Sequence, residues 1–163
     1  MKVGILTVSD KGSQGEREDR SGPAVREMIE AAGGEVVRTK IVPDEPDEIR
    51  AVLVAWSDEG LDLVLTTGGT GFSPRDRTPE ATKSVIEREA PGLAEAMRRA
   101  GAERTPTAIL SRAAAGIRKA TLIVNLPGSE LAVRESLAAV MPVLPHGIDI
   151  LKGAASECAK PRR

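Results

Sequence analysis

Apolar positions fall into short continuous runs separated by stretches of helical periodicity, and this alternation repeats three times in the first half of the chain. Lys2–Ser9 (KVGILTVS) is apolar and β-branched almost throughout, the pattern of a strand buried on both faces. A polar stretch from Asp10 to Arg20 follows. The next residues read as a helix, with Ser21 as N-cap, Pro23 in the first turn, Val25, Met28 and Ile29 on one face, and Gly33–Gly34 as the stop. The second unit is a strand over Glu35–Val42, a turn at Pro43–Asp44–Glu45 and a helix over Pro46–Asp58. Ile49, Val52, Leu53 and Trp56 recur in that helix at one-face spacing, and Gly60 ends it. The third unit is a strand over Leu61–Thr67 and a long loop from Gly68 to Thr78. Thr78 as N-cap, Pro79 and Glu80 then open another helix, with the acidic residue where the helix dipole favours it.

The second half is looser. Gly92–Ala100 carries a helical pattern that Thr105–Pro106 breaks, and Ala113–Arg118 reads as a short edge strand. Thr121–Leu126 (TLIVNL) is a buried strand, followed by a turn at Pro127–Gly128–Ser129 and a helix from Glu130 to about Met141. Pro142 and Pro145 interrupt what comes next, and a last helical stretch lies near His146–Leu151. This order predicts an α/β fold, a three-layer αβα sandwich on a mostly parallel sheet with right-handed crossovers. One domain over residues 1–163 is expected, with a polar tail frayed from about residue 154.

Composition narrows the partners. Trp56 and Phe72 are the only aromatic residues, too few for a stacking platform that reads single-stranded nucleic acid. The balance of 24 acidic and 23 basic residues, net charge −1, creates no global field toward nucleic acid or a membrane surface. A single cysteine, Cys158, forms no internal disulfide, and with one histidine, His146, there is no set of soft zinc ligands. No apolar run reaches membrane-spanning length, and the N-terminus lacks a signal-peptide pattern, so a cytoplasmic location is expected.

In open α/β sheets ligands bind where parallel strands end, so the loops leaving those ends are the ones to read. They carry Ser9–Asp10, Asp19–Pro23, Pro43–Pro46, Gly68–Pro79 and Pro127–Ser129. Closely spaced glycines at Gly68, Gly69 and Gly71 let backbone amides approach an anion, and a helix start follows. The spacing is neither that of a P-loop nor of a dinucleotide fingerprint, and a tight strand-to-helix turn accounts for the glycines equally well. Arg75 and Arg77 suit phosphate oxygens, while Asp76 between them suits Mg²⁺; a solvated charged loop is the plain alternative. Asp10, Asp44 and Asp76 each follow a different strand. Gathered at one edge they would repel unless a cation or proton sat among them, and hard oxygen donors favour Mg²⁺. Each also has a local role open to it: a turn for Asp10, a helix cap for Asp44 and an Asx turn for Asp76. Ser111–Arg112 is a weaker phosphate candidate, and Ser129 reads most simply as a helix N-cap.

The run from Leu65 through Gly68–Gly69–Thr70–Gly71–Phe72–Ser73–Pro74–Arg75–Asp76 to Thr78–Pro79–Glu80–Ala81–Thr82 resembles the signature of the molybdopterin adenylyltransferases, the family of the MogA-type enzymes and the gephyrin G domain. Thr7–Asp10, Asp19–Pro23, Val42–Glu45, Pro91–Leu93, Ile109–Arg112, Gly116–Arg118 and Asn125–Gly128 extend the resemblance to about Gly153.

The resemblance implies a homotrimer of the molybdenum cofactor biosynthesis fold that adenylylates molybdopterin with Mg²⁺ and ATP and releases pyrophosphate. Adenylyl-molybdopterin then serves metal insertion, with the downstream molybdenum insertion protein as a partner. The family's two functionally critical aspartates fall on Asp44 and Asp76, which would orient Mg²⁺ directly or through water. Gly68, Gly69, Thr70 and Gly71 would hold the nucleotide, and Ser9, Asp10, Ser111, Arg112, Pro127, Gly128 and Ser129 would line the substrate pocket. Arg77 replaces a more usual small apolar residue, and Ser129 a more usual amide side chain. A non-catalytic molybdopterin-binding or scaffold protein of the same fold, as among MoaB-type proteins, is the alternative. Of the two aromatics, Trp56 is read as core and Phe72 as an anchor of the glycine loop.

Overall fold

The computed structural model describes residues 1–154. Six strands form one sheet: β1 (Lys2–Val8), β2 (Glu35–Val42), β3 (Leu63–Thr67), β4 (Arg88–Glu89), β5 (Ala115–Arg118) and β6 (Thr121–Leu126), in the order β2-β1-β3-β6-β5-β4. β2, β1, β3 and β6 are mutually parallel, so four carboxyl ends share one edge. β5 turns back antiparallel to β6, and β4 pairs antiparallel with β5. The helices are α1 (Asp10–Ser13), α2 (Ser21–Ala31), α3 (Pro46–Asp58), α4 (Thr78–Val85), α5 (Pro91–Ala102), α6 (Glu130–Val140) and α7 (Leu144–Leu151). None of these is long and apolar enough to cross a membrane.

Because successive strand residues face opposite sides, each central strand feeds two cores. Val3, Ile5, Leu65 and Val124 pack with Val25 and Ile29 of α2, Met97 of α5, Leu137 of α6 and Ile148 of α7. Leu6, Val8, Val64 and Ile123 pack on the other face with Ile49, Leu53 and Trp56 of α3 and with Ala81 and Val85 of α4. The αβα sandwich expected from the sequence is therefore the observed architecture. Trp56 is core, as its position in the apolar stripe indicated.

The local differences have local causes. The segment read as an edge strand is β5, which lies between β6 and β4; the true edge, β4, is two exposed residues with no alternation to detect. Ser21 lies inside α2 rather than capping it. Asp19 takes that role, its Oδ1 accepting from the amides of Ser21 and Gly22, both at 3.0 Å. Thr78 likewise lies inside α4 and does not cap it. Ser129 does cap α6, accepting from the Ala132 amide. Of the tail expected to fray from about residue 154, residues 155–163 lie outside the described residues.

Candidate active site

The loops after β1, β2, β3 and β6 meet at the shared carboxyl edge. A buried amide braces the β3 and β6 side of that edge. Asn125 of β6 is fully buried and donates through Nδ2 to Thr66 Oγ1 at 2.9 Å and Thr82 Oγ1 at 2.8 Å, while its Oδ1 accepts from the Ala114 amide. It therefore fixes β3 to α4, the two elements flanking the glycine loop. Next to it, Thr67 Oγ1 donates to the Pro127 carbonyl at 2.8 Å, drawing the β6 turn against the same loop.

Gly68 and Gly69 both adopt left-handed conformations, φ +94° and +64°. A Cβ on Gly68 would lie 2.2 Å from the Val8 carbonyl oxygen; one on Gly69 would lie 2.4 Å from Thr78 Oγ1 and 2.9 Å from Asp44 Oδ1. Only glycine satisfies both demands. The amides of Gly69, Thr70 and Gly71 have no acceptor among the described residues, which leaves three donors for a ligand.

Two cavities open on this edge, of about 810 and 530 Å³. Gly69, Asp76, Gly128 and Ser129 line both and form the ridge between them. Ser9, Asp44 and Gly68 belong to the larger cavity, whose wall also carries Arg17, Asp19 and Glu130. Thr70, Gly71, Ser111 and Pro127 belong to the smaller one, beside the apolar side chains of Met97, Leu110 and Leu131.

Asp10 and Arg112 line neither cavity. The two oxygens of Asp10 accept from Arg75 Nε at 3.0 Å and Nη2 at 2.9 Å, and Oδ1 also accepts from the Asp44 amide. Arg112 donates from Nε to the Gly71 carbonyl at 2.8 Å, from Nη2 to the Asp76 carbonyl at 2.6 Å, and pairs with Glu80. Its own amide donates to the Thr70 carbonyl. Arg112 is thus a strut under the glycine loop, and burial at Glu80 is outweighed by Arg112, which holds that carboxyl below its ordinary value. Phe72 is 68% exposed, so it does not anchor the loop to the core. A glycine on one side and a polar turn on the other leave it outside the sheet's apolar layers.

Asp76 does not form the Asx turn toward Thr78, whose amide donates to the Gly69 carbonyl; its Oδ2 instead accepts from the preceding Ser73 amide at 3.0 Å. Asp44 does not cap α3, whose N-cap residue is Glu45. Its Oδ2 accepts from the Asp10 amide, and its Oδ1 has no donor among the described residues. Burial pushes the Asp44 carboxyl up, and the charges of Asp10 and Asp76 push the same way, against the Asp10 amide and Arg75. The Arg75 guanidinium holds Asp10 below its ordinary value.

These donors fit Mg²⁺ in a specific sense. Asp44 and Asp76 each retain one carboxylate oxygen without a donor among the described residues, and Asp44 has no ion pair of its own among them. No group of three or more His, Cys, Asp or Glu side chains among those residues makes a metal cage. One or two carboxylates completed by phosphate oxygens and water is how Mg²⁺ is usually held. Sequence reasoning missed Asp19 and Asn125 as functional supports. Asn125 had a readable signal, a lone amide inside an otherwise apolar strand that must find buried partners.

The site is thus a glycine-loop ridge between two cavities at the parallel-sheet edge of an α/β domain. The chain belongs to the family described as "Probable molybdopterin binding domain", which matches residues 4–146. It is 46% identical over 154 residues to the molybdopterin adenylyltransferase of Helicobacter pylori strain J99, covering 93% of this chain and 88% of that one. It is 44% identical over 159 residues to gephyrin of Dictyostelium discoideum, covering 91% of this chain but spanning only 22% of gephyrin. Among solved structures, the molybdopterin biosynthesis enzyme MoaB of Thermus thermophilus superposes with a TM-score of 0.89 at 57% identity, over 93% of this chain and 96% of that one.

Proposed function

We propose that the protein is a molybdopterin adenylyltransferase of molybdenum cofactor biosynthesis, using ATP and Mg²⁺. The observation that carries this reading is the pair of cavities meeting at Gly69, Asp76, Gly128 and Ser129. Two substrates seated on either side would meet at that ridge. There an oxygen of the molybdopterin phosphate bonds to the α-phosphorus of ATP as the bond to the pyrophosphate oxygen breaks. The products are adenylyl-molybdopterin and pyrophosphate.

Such a transfer is served by positioning and electrostatics and needs no covalent nucleophile. The unpartnered amides of Gly69, Thr70 and Gly71 and the start of α6 present donors to phosphate oxygens. Asp44 and Asp76 would hold Mg²⁺, which when bound offsets charge on the leaving pyrophosphate. Ser111 and the apolar wall of the smaller cavity give a ring system an aliphatic seat, as a chain with two aromatics requires.

Assembly as a homotrimer, a cytoplasmic location and transfer of product to the molybdenum insertion protein belong to the same reading. The exposed apolar side chains Phe72, Ile109 and Leu131 are surface that assembly would cover. Pyrophosphate release from ATP on addition of molybdopterin tests the enzyme; binding of both without turnover marks a non-catalytic binding protein.

A further inference from the structure

We propose that Arg75 is a positioning residue for Asp44, acting through Asp10. This rests on the reading of Asp44 as part of the adenylyl-transfer site.

Arg75 leaves the loop after β3 and reaches across the end of β1. Its Nε and Nη2 take both oxygens of Asp10, at 3.0 and 2.9 Å, and Nη2 continues to Glu45 Oε1 at 2.8 Å. One guanidinium thus ties the loops following β3, β1 and β2, three neighbours in the sheet. An exposed ion pair is ordinarily worth little. This one has the bidentate geometry that fixes orientation, and its partner is not an isolated carboxylate. Asp10 and Asp44 are locked by reciprocal bonds, the Asp10 amide to Asp44 Oδ2 and the Asp44 amide to Asp10 Oδ1. That lock turns Asp44 Oδ1 toward Gly69. Without Arg75, two carboxylates would face each other at hydrogen-bond range of a shared backbone, and their repulsion would open the lock. Arg75 itself lines neither cavity, so it acts on the geometry of Asp44 and not on either substrate.

The test compares the full chain with Arg75→Ala and Arg75→Lys. Amide hydrogen exchange at Asp10 and Asp44 is read by NMR without ligand, and steady-state pyrophosphate release is read with ATP and molybdopterin. Arg75→Ala is expected to speed exchange at both amides at least about tenfold. It should lower kcat by about 10–100-fold, the usual effect of losing a supporting partner, with KM for ATP within about twofold. Arg75→Lys, which replaces the fork by a single point charge, should fall between and serves if the alanine variant does not fold. Unchanged exchange, unchanged kcat, or a loss confined to KM overturns the proposal. If the wild-type chain releases no pyrophosphate, the enzyme reading fails, and the exchange rates alone still decide whether Arg75 holds Asp44.

Discussion

Asp10 and Asp44 each donate a backbone amide to the other's carboxylate, at 2.9 Å in both directions. The pairing joins the loops after two adjacent parallel strands and leaves one oxygen of Asp44 turned toward the glycine loop. It also divides labour between residues that look alike in sequence. Asp10 is consumed by support, whereas Asp44 and Asp76 keep an oxygen available in the larger cavity.

Asp44→Asn and Asp76→Asn should each lower kcat for pyrophosphate release by about 100-fold or more, the scale of losing one preorganised electrostatic contact in a transfer site. Melting temperature should change little, because the neutral amide preserves shape. Formation of adenylyl-molybdopterin by either variant at wild-type rates would remove these residues from the mechanism.

Thr78 Oγ1 is buried without a partner among the described residues, 2.4 Å from where a Gly69 Cβ would stand. An unpaired buried hydroxyl costs about 1 kcal/mol or more, so the near-isosteric Thr78→Val should raise the melting temperature by about 2–4 °C. Calorimetry of the two proteins checks this. A lower melting temperature would mean that the hydroxyl has a stabilising partner.

The Asn125 side chain satisfies three polar groups inside the core: the Ala114 amide and the hydroxyls of Thr66 and Thr82. Asn125→Leu leaves all of them without that partner and should destabilise by about 3–5 kcal/mol. Urea unfolding would report the loss; a shift below about 1 kcal/mol would show that the network is not what fixes β3 to α4.

At the opposite end of the sheet, Asp62 contributes to acid stability. Burial pushes its carboxyl up, but the Lys152 ammonium and the Lys2 amide, bonded at 2.6 Å, outweigh burial and hold it below the ordinary 3.8. A depressed folded value means stability that is present above the unfolded value and lost as pH falls through the folded one. Asp62→Asn should therefore be less stable than wild type at pH 7, with the difference shrinking toward pH 3. Urea midpoints at the two pH values measure it, and a constant difference would contradict the linkage.

The central strands, the helices between them and the mostly parallel sheet were legible because buried parallel strands write unbroken apolar runs, as in Leu63–Thr67 and Thr121–Leu126; the strand order was not. Arg88–Glu89 was not, since an exposed two-residue edge has no period. The site was legible down to its loops, and the two aspartates, the glycines and Ser129 all face the cavities. What sequence could not separate was contact from support. Asp10 and Arg112 carry the same chemistry as ligand-binding groups, and only the positions of Arg75, Gly71 and Asp76 show that they are already engaged. Phe72 misled for a related reason: a rare aromatic beside a functional loop suggests an anchor, but burial is decided by the layers around it.

The most direct measurement is pyrophosphate released from Mg-ATP by the purified chain when molybdopterin is added. A molybdopterin adenylyltransferase should release it only with molybdopterin, mole for mole with adenylyl-molybdopterin, and release should collapse in Asp44→Asn. Binding of ATP and molybdopterin with no pyrophosphate above the level seen without molybdopterin would contradict that activity.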